Sequence, residues 1–231
     1  MNEETTLDNK FIPTYGYRIL AVCMGSCSIL YYVTKYLGIT EPHNIMTGVD
    51  DIFPLSTWWV SIYLLSYVFW ILNFLLVARE GKEEYCKFMT AYLAGEFFSF
   101  ACFILFPTTL TRPEITGTGF FDWMLQMTYN ADMPVNLLPS LHCMDSWLAF
   151  RCIWGAKRTP RWYQLTSFVI AILICLSTQF TKQHVLIDVF AGIIVAEAAL
   201  RLVPESRPGK ALAAKLDRMD IAIQRLLHRN K

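Results

Sequence analysis

The stretch Thr57–Ala78, TWWVSIYLLSYVFWILNFLLVA, decides the class of this protein, because it contains no charged residue. A helix of about 20 mainly apolar residues is long enough to cross the hydrocarbon core of a bilayer. The whole chain of 231 residues follows the same trend, since 55% of it is hydrophobic and 17% is charged. A typical soluble domain has about 25% charged residues. The sequence therefore predicts an integral membrane protein.

Apolar stretches at five other places predict further membrane helices, which gives an all-α fold, a six-helix membrane bundle. The predicted spans are Tyr17–Leu37, Thr57–Ala78, Cys86–Phe106, Leu141–Ala156, Gln164–Phe180 and His184–Val203. We expect a cytoplasmic N-terminal segment over 1–16, a six-span catalytic membrane domain over 17–204 and a cytoplasmic tail over 205–231. The seven cysteines form no CxxC pair, so neither a disulfide framework nor a zinc site is expected.

The distribution of positive charge orients the predicted bundle. Most of the twenty lysines and arginines fall in the loops over 79–87 and 155–162 and in the tail, whereas Lys35, Arg112 and Lys182 fall toward the other side. Because positive loops stay in the cytoplasm, we expect both termini to be cytoplasmic in a plasma membrane protein. The formal net charge of +1 gives no indication of a nucleic acid partner, and we expect membrane lipids as partners.

The tail has the pattern of an amphipathic helix. Apolar residues recur at helical spacing with basic residues between them: Leu212, Leu216, Met219, Ile223 and Leu226, with Lys215, Arg218 and Arg225. Such a basic helix favours the anionic inner leaflet of the membrane. Binding of a partner protein is the alternative interpretation.

Three polar segments fall on the outer face of the predicted bundle. They are FPTTLTRPE at 106–114, NLLPSLHCMD at 136–145 and TQFTKQHVLIDVFAG at 178–192. These segments are distant in sequence but share one membrane depth, which is how a helical bundle builds one site from several helices. We therefore expect their polar side chains to meet.

The residue types in these segments suit phosphoryl transfer. His184 and Asp188 are four residues apart on one helix face, so the carboxylate fixes the tautomer of the imidazole and leaves its other nitrogen free to attack. His142 comes from another helix and is suited to protonating a leaving group. Arg112 and Lys182 add positive charge for phosphate oxygens.

Ser140 lies just before the fourth predicted helix. Its hydroxyl and the free backbone N–H groups at a helix N-terminus form a natural anion site. Ser140 is therefore a further candidate for phosphate binding.

These residues resemble the three sequence blocks of the type 2 phosphatidic acid phosphatase superfamily, K-x6-R-P, P-S-G-H and S-R-x5-H-x3-D. The corresponding residues here are Arg112-Pro113 with Leu105 at the lysine position, then Pro139-Ser140-Leu141-His142, then Ser177-Thr178 followed by His184 and Asp188 at the family spacing. Two basic residues of the pattern are thus absent, and Lys182 is our hypothesis for the replacement of one of them.

The resemblance implies a membrane lipid phosphatase that works without metal or cofactor on a lipid phosphate monoester or diphosphate at the outer membrane face. It implies that His184 is the nucleophile that forms a phosphohistidine, that Asp188 orients it and that His142 protonates the leaving alcohol. Arg112 and Ser140 would hold the phosphate. The PSLH and KQH sequences are similar to the branch with inositol phosphorylceramide synthase, so a head-group phosphotransferase with an alcohol acceptor is the alternative.

Two other function classes stay open at this point. One is a non-enzymatic haem or metal protein with His142 and His184 as axial ligands, for which a Soret band would be evidence. The other is an intramembrane serine protease that uses Ser140 with His184. The roles of Glu96 and Asp145 are also open, since a carboxyl within a membrane span is either a site residue or a structural hydrogen-bonding group. His43 lies in the predicted outer loop over 38–51, where it is either a surface residue or part of a loop that covers the site.

Overall fold

The computed structural model describes residues 11–229, which form eight α-helices and one pair of short parallel strands. In chain order these are α1 (Thr14–Thr34), β1 (His43–Asn44), α2 (Val60–Val77), α3 (Lys82–Leu105), β2 (Thr108–Thr109), α4 (Phe120–Ala131), α5 (Leu141–Ile153), α6 (Arg161–Phe180), α7 (Leu186–Leu202) and α8 (Arg207–Arg229). Positions 1–10 of the predicted cytoplasmic segment and 230–231 of the tail lie outside the described residues.

The chain is a helical membrane protein. Four helical segments of the described residues are long and apolar enough to cross a membrane. They are α1, α3, α6 and the segment Thr57–Glu80, which consists of α2 and the short 3-10 helix at each of its ends. The other two predicted spans correspond to α5 and α7, which have 13 and 17 residues. These two are shorter than the usual spanning length, so the count of six spans stays a prediction.

α5 lies at the centre of the bundle, where it packs against α2, α3, α6 and α7. Met144 and Leu148 on α5 are fully buried in one apolar cluster with Phe74 of α2 and Met89 of α3. Large apolar side chains on the outside of α2 and α6 are exposed, including Val68, Ile71, Leu165 and Val169. An exposed apolar belt of this kind is stable in lipid and unfavourable in water.

A glycine allows α5 and α7 to approach each other closely. A Cβ atom built on Gly192 would lie 2.5 Å from the carbonyl oxygen of Ser140 and 3.1 Å from the backbone nitrogen of Met144. Small residues permit such backbone contacts between membrane helices. The contact holds the N-terminal ends of α5 and α7 side by side.

The sequence pattern did not predict α4, which lies between the third and fourth predicted spans. Asp122 caps this helix, since its Oδ2 accepts a hydrogen bond of 2.9 Å from the backbone N–H of Gly119. Leu125 is fully buried, while Phe120 and Trp123 are 67% and 58% exposed. With 12 residues, α4 is too short to span a membrane. It mixes apolar and polar residues, so it contains no long apolar stretch that would predict a membrane helix.

α8 is docked on the bundle. Its Asp220 accepts hydrogen bonds from Arg18 of α1 at 2.5 Å and from Lys82 of α3 at 2.9 Å. Leu216 is buried in the main apolar cluster. Part of the predicted membrane-binding face thus packs on the protein itself, whereas Leu226 remains exposed.

We expect Asp220→Asn to loosen α8, because asparagine keeps the shape of the side chain but removes the charge that faces Arg18 and Lys82. The loss of stability on breaking a partly buried ion pair lies between the losses for an exposed pair and for a fully buried pair. The free energy of unfolding should therefore decrease by about 2 kcal/mol. Thermal unfolding in detergent and the rate of proteolysis within α8 measure the effect.

Asp217→Asn is the matched control, because Asp217 also contacts Lys82 but is 45% exposed; it should cost less than about 1 kcal/mol. Burial raises the pKa of Asp220, but Arg18 and Lys82 lower it more, so the pKa lies below its usual value. The contribution should therefore be present above the unfolded pKa of about 3.9 and be lost as the pH falls below it. Equal losses in the two variants at neutral pH would contradict this assignment.

Candidate active site

His184 lies in the tight turn between α6 and α7. Its Nδ1 is 3.2 Å from Oδ2 of Asp188, one helical turn further along the chain. The same carboxylate oxygen accepts a hydrogen bond of 3.1 Å from the backbone N–H of Val185. Asp188 is fully buried and His184 is 8% exposed. Because a carboxylate accepts the proton of Nδ1, the lone pair of Nε2 is free to react.

His142 lies in the first turn of α5, and its ring centroid is 6.2 Å from that of His184. Tyr63 of α2 stacks on the imidazole at 4.2 Å, and its hydroxyl is 3.4 Å from Nδ1. Nε2 of His142 is buried without a hydrogen-bond partner. An unpaired buried nitrogen of this kind is unfavourable unless a ligand satisfies it.

Ser140 is the N-cap of α5 and is fully buried. Its Oγ accepts a hydrogen bond of 3.2 Å from the backbone N–H of Cys143, and its own backbone N–H donates to the carbonyl of Asp188 at 3.1 Å. Ser140 therefore joins the ends of α5 and α7 and is occupied by these contacts.

Arg112 is held by the C-terminal end of α4. Its guanidinium lies 4.4 Å from the ring centroid of Tyr129, and Nη1 donates to the backbone carbonyl of Asp132 at 2.6 Å. Nη2 donates to Oε1 of Gln183, and Nε is buried without a partner. Burial lowers the pKa of Arg112, but an arginine keeps its charge at neutral pH. Tyr129 is itself fixed, since its hydroxyl donates to the carbonyl of Thr181 at 2.7 Å.

Lys182 and Gln183 point in different directions. The Nζ of Lys182 donates to the backbone carbonyl of Asp50 at 2.8 Å, and Lys182 has a positive φ of 52°. Gln183 is 2% exposed, and its Nε2 is buried without a partner. Gln183 is therefore a candidate that the sequence reasoning missed, although it stands directly before the predicted nucleophile.

Asp50 ties the loop between α1 and α2 to the start of α7. Its Oδ1 accepts a hydrogen bond of 2.8 Å from the backbone N–H of Leu186, and its Oδ2 accepts from the backbone N–H of Thr47. Burial raises the pKa of Asp50, but these hydrogen bonds lower it more, so it lies below its usual value. Lys182 helps to hold the same loop, because its Nζ donates to the backbone carbonyl of Asp50.

A cavity of about 560 Å³ joins these residues. Its lining includes His142, His184, Arg112 and Gln183, and we call the part of the cavity at these four residues the phosphate end. Ser140 and Lys182 are not among the described residues that line it. Three unpaired buried donor groups, Nε of Arg112, Nε2 of His142 and Nε2 of Gln183, belong to this lining. Donor groups that belong to one cavity lining are suited to an anion.

Glu96 of α3 and Asp145 of α5 also line the cavity. They are 3% and 5% exposed, and the two carboxyl groups are close enough to interact. Oδ1 of Asp145 is buried without a partner.

Comparison with known proteins gives one match. The family model of the PAP2 superfamily matches residues 29–202. This stretch contains every described residue that lines the cavity except Met24, Cys27 and Ser28. No curated protein and no solved structure matches the chain, so the similarity to the inositol phosphorylceramide synthase branch is not confirmed. The superfamily consists in general of phosphoric ester hydrolases and related enzymes that act on lipid phosphates. The chain belongs to the PAP2 superfamily, the superfamily of type 2 phosphatidic acid phosphatases.

Proposed function

We propose that this protein transfers a phosphoryl group from a phosphate ester of a membrane lipid through a phosphohistidine on His184. The observation that carries the proposal is the phosphate end of the cavity, where Asp188 orients His184 and three unpaired donor groups line the same space. Membership of the PAP2 superfamily supports the same type of reaction.

The first step forms a bond between Nε2 of His184 and phosphorus and breaks the ester P–O bond. Asp188 stabilises the charge that develops on the imidazole. His142 gives its proton to the leaving alkoxide, since it lies across the cavity from the nucleophile. Ring nitrogens that titrate near neutral pH are efficient in this role.

Arg112 and Gln183 hold the phosphate oxygens in this proposal. The guanidinium neutralises charge, while the amide N–H of Gln183 donates a hydrogen bond to a neighbouring oxygen. Gln183 thus takes the role that the sequence assigned to Lys182, because the ammonium of Lys182 is bonded to the loop at Asp50. Ser140 contributes indirectly by joining α5 to α7.

In the phosphatase reaction, water hydrolyses the phosphohistidine, and His142 accepts the proton of the attacking water. In the transferase alternative an alcohol takes the place of water and follows the same path. Glu96 and Asp145 favour keeping this alternative, because they also line the cavity and offer polar groups to an acceptor alcohol. The charge distribution of the loops supports a site on the extracytoplasmic side, with both termini in the cytoplasm of a plasma membrane protein.

Substituting His184 should abolish turnover. We expect purified protein with EDTA present to release phosphate or a new lipid product from a panel of lipid phosphates, and His184→Ala to reduce the rate at least about 10³-fold. Acid-stable product and acid-labile phosphoenzyme are measured with labelled lipid. Turnover that survives in His184→Ala, or that requires a divalent metal, would contradict the proposal.

Substituting His142 should act through the leaving group. His142→Ala should slow cleavage of an alkyl lipid phosphate by about 10²- to 10⁴-fold, but a p-nitrophenyl ester needs no proton on its leaving group. The burst of p-nitrophenolate should therefore be slowed less than about tenfold, and phosphoenzyme should accumulate because the second step lacks its base. Equal losses for the two substrates would exclude His142 as the acid.

Arg112 and Lys182 should respond differently to the same substitution. Arg112→Gln should decrease kcat/KM by about 100-fold or more, whereas Lys182→Gln should decrease it less than about threefold. The same assay with the matched pair of variants gives both values. A loss in Lys182→Gln as large as that in Arg112→Gln would restore Lys182 as a phosphate ligand.

A further inference from the structure

Given the proposed function, we infer that Tyr63 of α2 is a positioning residue for His142, the proposed general acid. The phenol ring holds the imidazole by stacking, and the phenol oxygen accepts the hydrogen bond of Nδ1–H. Nε2 then remains the nitrogen that exchanges a proton with the reacting groups. Two observations carry the inference: the hydrogen-bond partner of the imidazole and the aromatic rings around it.

The two histidines of the site have different partners. A buried carboxylate holds His184, since Oδ2 of Asp188 is 3.2 Å from its Nδ1. Among the described residues no ion pair involves His142, although Asp145 follows it by one helical turn. In the part of the chain that the structure describes, the imidazole of His142 has one hydrogen-bond partner, the hydroxyl of Tyr63. A neutral phenol thus takes the place that a carboxylate has beside His184.

Three aromatic side chains of α2 surround the imidazole of His142. They are spaced four and three residues apart, so they share one face of the helix. Tyr63 lies nearly parallel to the imidazole, with ring centroids 4.2 Å apart and an interplanar angle of 19°. Tyr67 and Trp70 meet it edge-on at 5.6 Å and 5.1 Å. The indole N–H of Trp70 also donates to Oγ of Ser146 at 2.9 Å, which ties this face of α2 to α5.

The contact between the hydroxyl of Tyr63 and Nδ1 of His142 is 3.4 Å long. This is longer than a typical hydrogen bond, and catalytic hydrogen bonds are often long before a substrate binds. Nε2, the other ring nitrogen, is buried without a partner, and His142 lines the cavity. The phenol therefore occupies Nδ1 and leaves Nε2 for the substrate.

A phenol suits a residue that must both give and take a proton. A carboxylate beside Nδ1 adds a full negative charge and strongly favours the imidazolium, whereas a phenol oxygen accepts the same hydrogen bond without that charge. The face of the Tyr63 ring supports the positive charge more weakly, as aromatic faces do for cations. His142 can then lose its proton in the first step and regain one in the second.

The proton balance determines the direction of the hydrogen bond. In the first step Nε2 of His142 gives its proton to the leaving alkoxide, and Nδ1 keeps its own. The neutral ring then carries its hydrogen on Nδ1, where the oxygen of Tyr63 accepts it, and Nε2 has a lone pair. In the second step this lone pair takes the proton of the attacking water or alcohol. If Tyr63 donated instead, the neutral ring would carry its hydrogen on Nε2 and could not act as the base.

Tyr63→Phe keeps the ring and removes the hydroxyl. For the lipid phosphate with the highest wild-type turnover, kcat should fall about three- to tenfold, because one hydrogen bond to the acid is lost. KM should change less than about twofold, and so should the burst from a p-nitrophenyl ester, whose leaving group needs no acid. Tyr63→Leu also removes the stacked ring, so it should slow the lipid substrate at least about threefold further.

Tyr85→Phe is the matched control for the loss of a buried phenol hydroxyl. Tyr85 is fully buried, and its hydroxyl donates to the backbone carbonyl of Gly16 at 3.0 Å. It is not among the described residues that line the cavity. The ratio of the two substrate rates should therefore stay within about twofold of the wild-type ratio. A change in this ratio as large as that in Tyr63→Phe would overturn the inference, because loosened packing would then explain both variants.

The effect of the hydroxyl should pass through the imidazole. In the His142→Ala background, Tyr63→Phe should reduce the rate by less than about twofold further, because the group that it positions is absent. Single and double variants are compared with the same lipid substrate. If the losses in the double variant multiply in full, Tyr63 acts independently of His142 and the inference is wrong.

The position of the proton can be measured without turnover. Nitrogen-15 chemical shifts of labelled histidine distinguish a ring nitrogen that carries hydrogen from one that does not. The chain has four histidines, and the spectrum of His142→Gln identifies the signals of His142 in the full chain. The neutral ring should carry hydrogen on Nδ1 in the wild type and in Tyr85→Phe, and should lose that preference in Tyr63→Phe. Hydrogen on Nε2 in the wild type would overturn the inference.

The outcomes separate the inference from the proposed function. If His142→Ala slows the lipid substrate far more than the p-nitrophenyl ester, but Tyr63→Phe slows both equally, the inference is wrong and the role of His142 stands. If no turnover depends on His184, the proposed function fails, while the spectra still decide whether Tyr63 places the proton on Nδ1.

Discussion

The close contact between the N-terminal ends of α5 and α7 is the constraint on which the candidate site depends. Gly192 leaves no side chain between the two helices, so the backbone N–H of Ser140 reaches the carbonyl of Asp188. His142 follows Ser140 by two residues, and His184 precedes Asp188 by one turn. The contact therefore fixes the position of the two imidazoles relative to each other. Proton transfer in the proposed phosphoryl transfer requires such fixed geometry.

A second constraint is the way in which the site obtains its positive charge. Arg112 comes from a loop, and a loop side chain holds its position only when other elements fix it. The end of α4 does so through the ring of Tyr129 and the carbonyl of Asp132, while Gln183 orients the far side of the guanidinium. One fixed arginine and one neutral amide are therefore the groups that this arrangement offers to an anion.

The spacing of polar residues predicted much of this arrangement. His184 and Asp188 contact each other because residues four apart share a helix face, and the polar segments that carry Arg112 and His142 do line one cavity with them. Lys182 shows the limit of such reasoning. Its side chain is bonded to the loop at Asp50, and the neighbouring Gln183 lines the cavity. Successive residues of a tight turn point in different directions, and the spacing in the sequence does not show which of them faces the cavity.

The sequence by itself determined the membrane class, the approximate position of the helices and the choice of His142 and His184 as candidate site residues, because hydropathy and helical periodicity are local properties of the chain. The tertiary structure alone decided that α4 fixes Arg112, that Ser140 joins two helices and that Glu96 meets Asp145 across the bundle. These features arise from contacts between segments far apart in sequence. Their side-chain directions follow from packing and hydrogen-bond partners that no local pattern encodes.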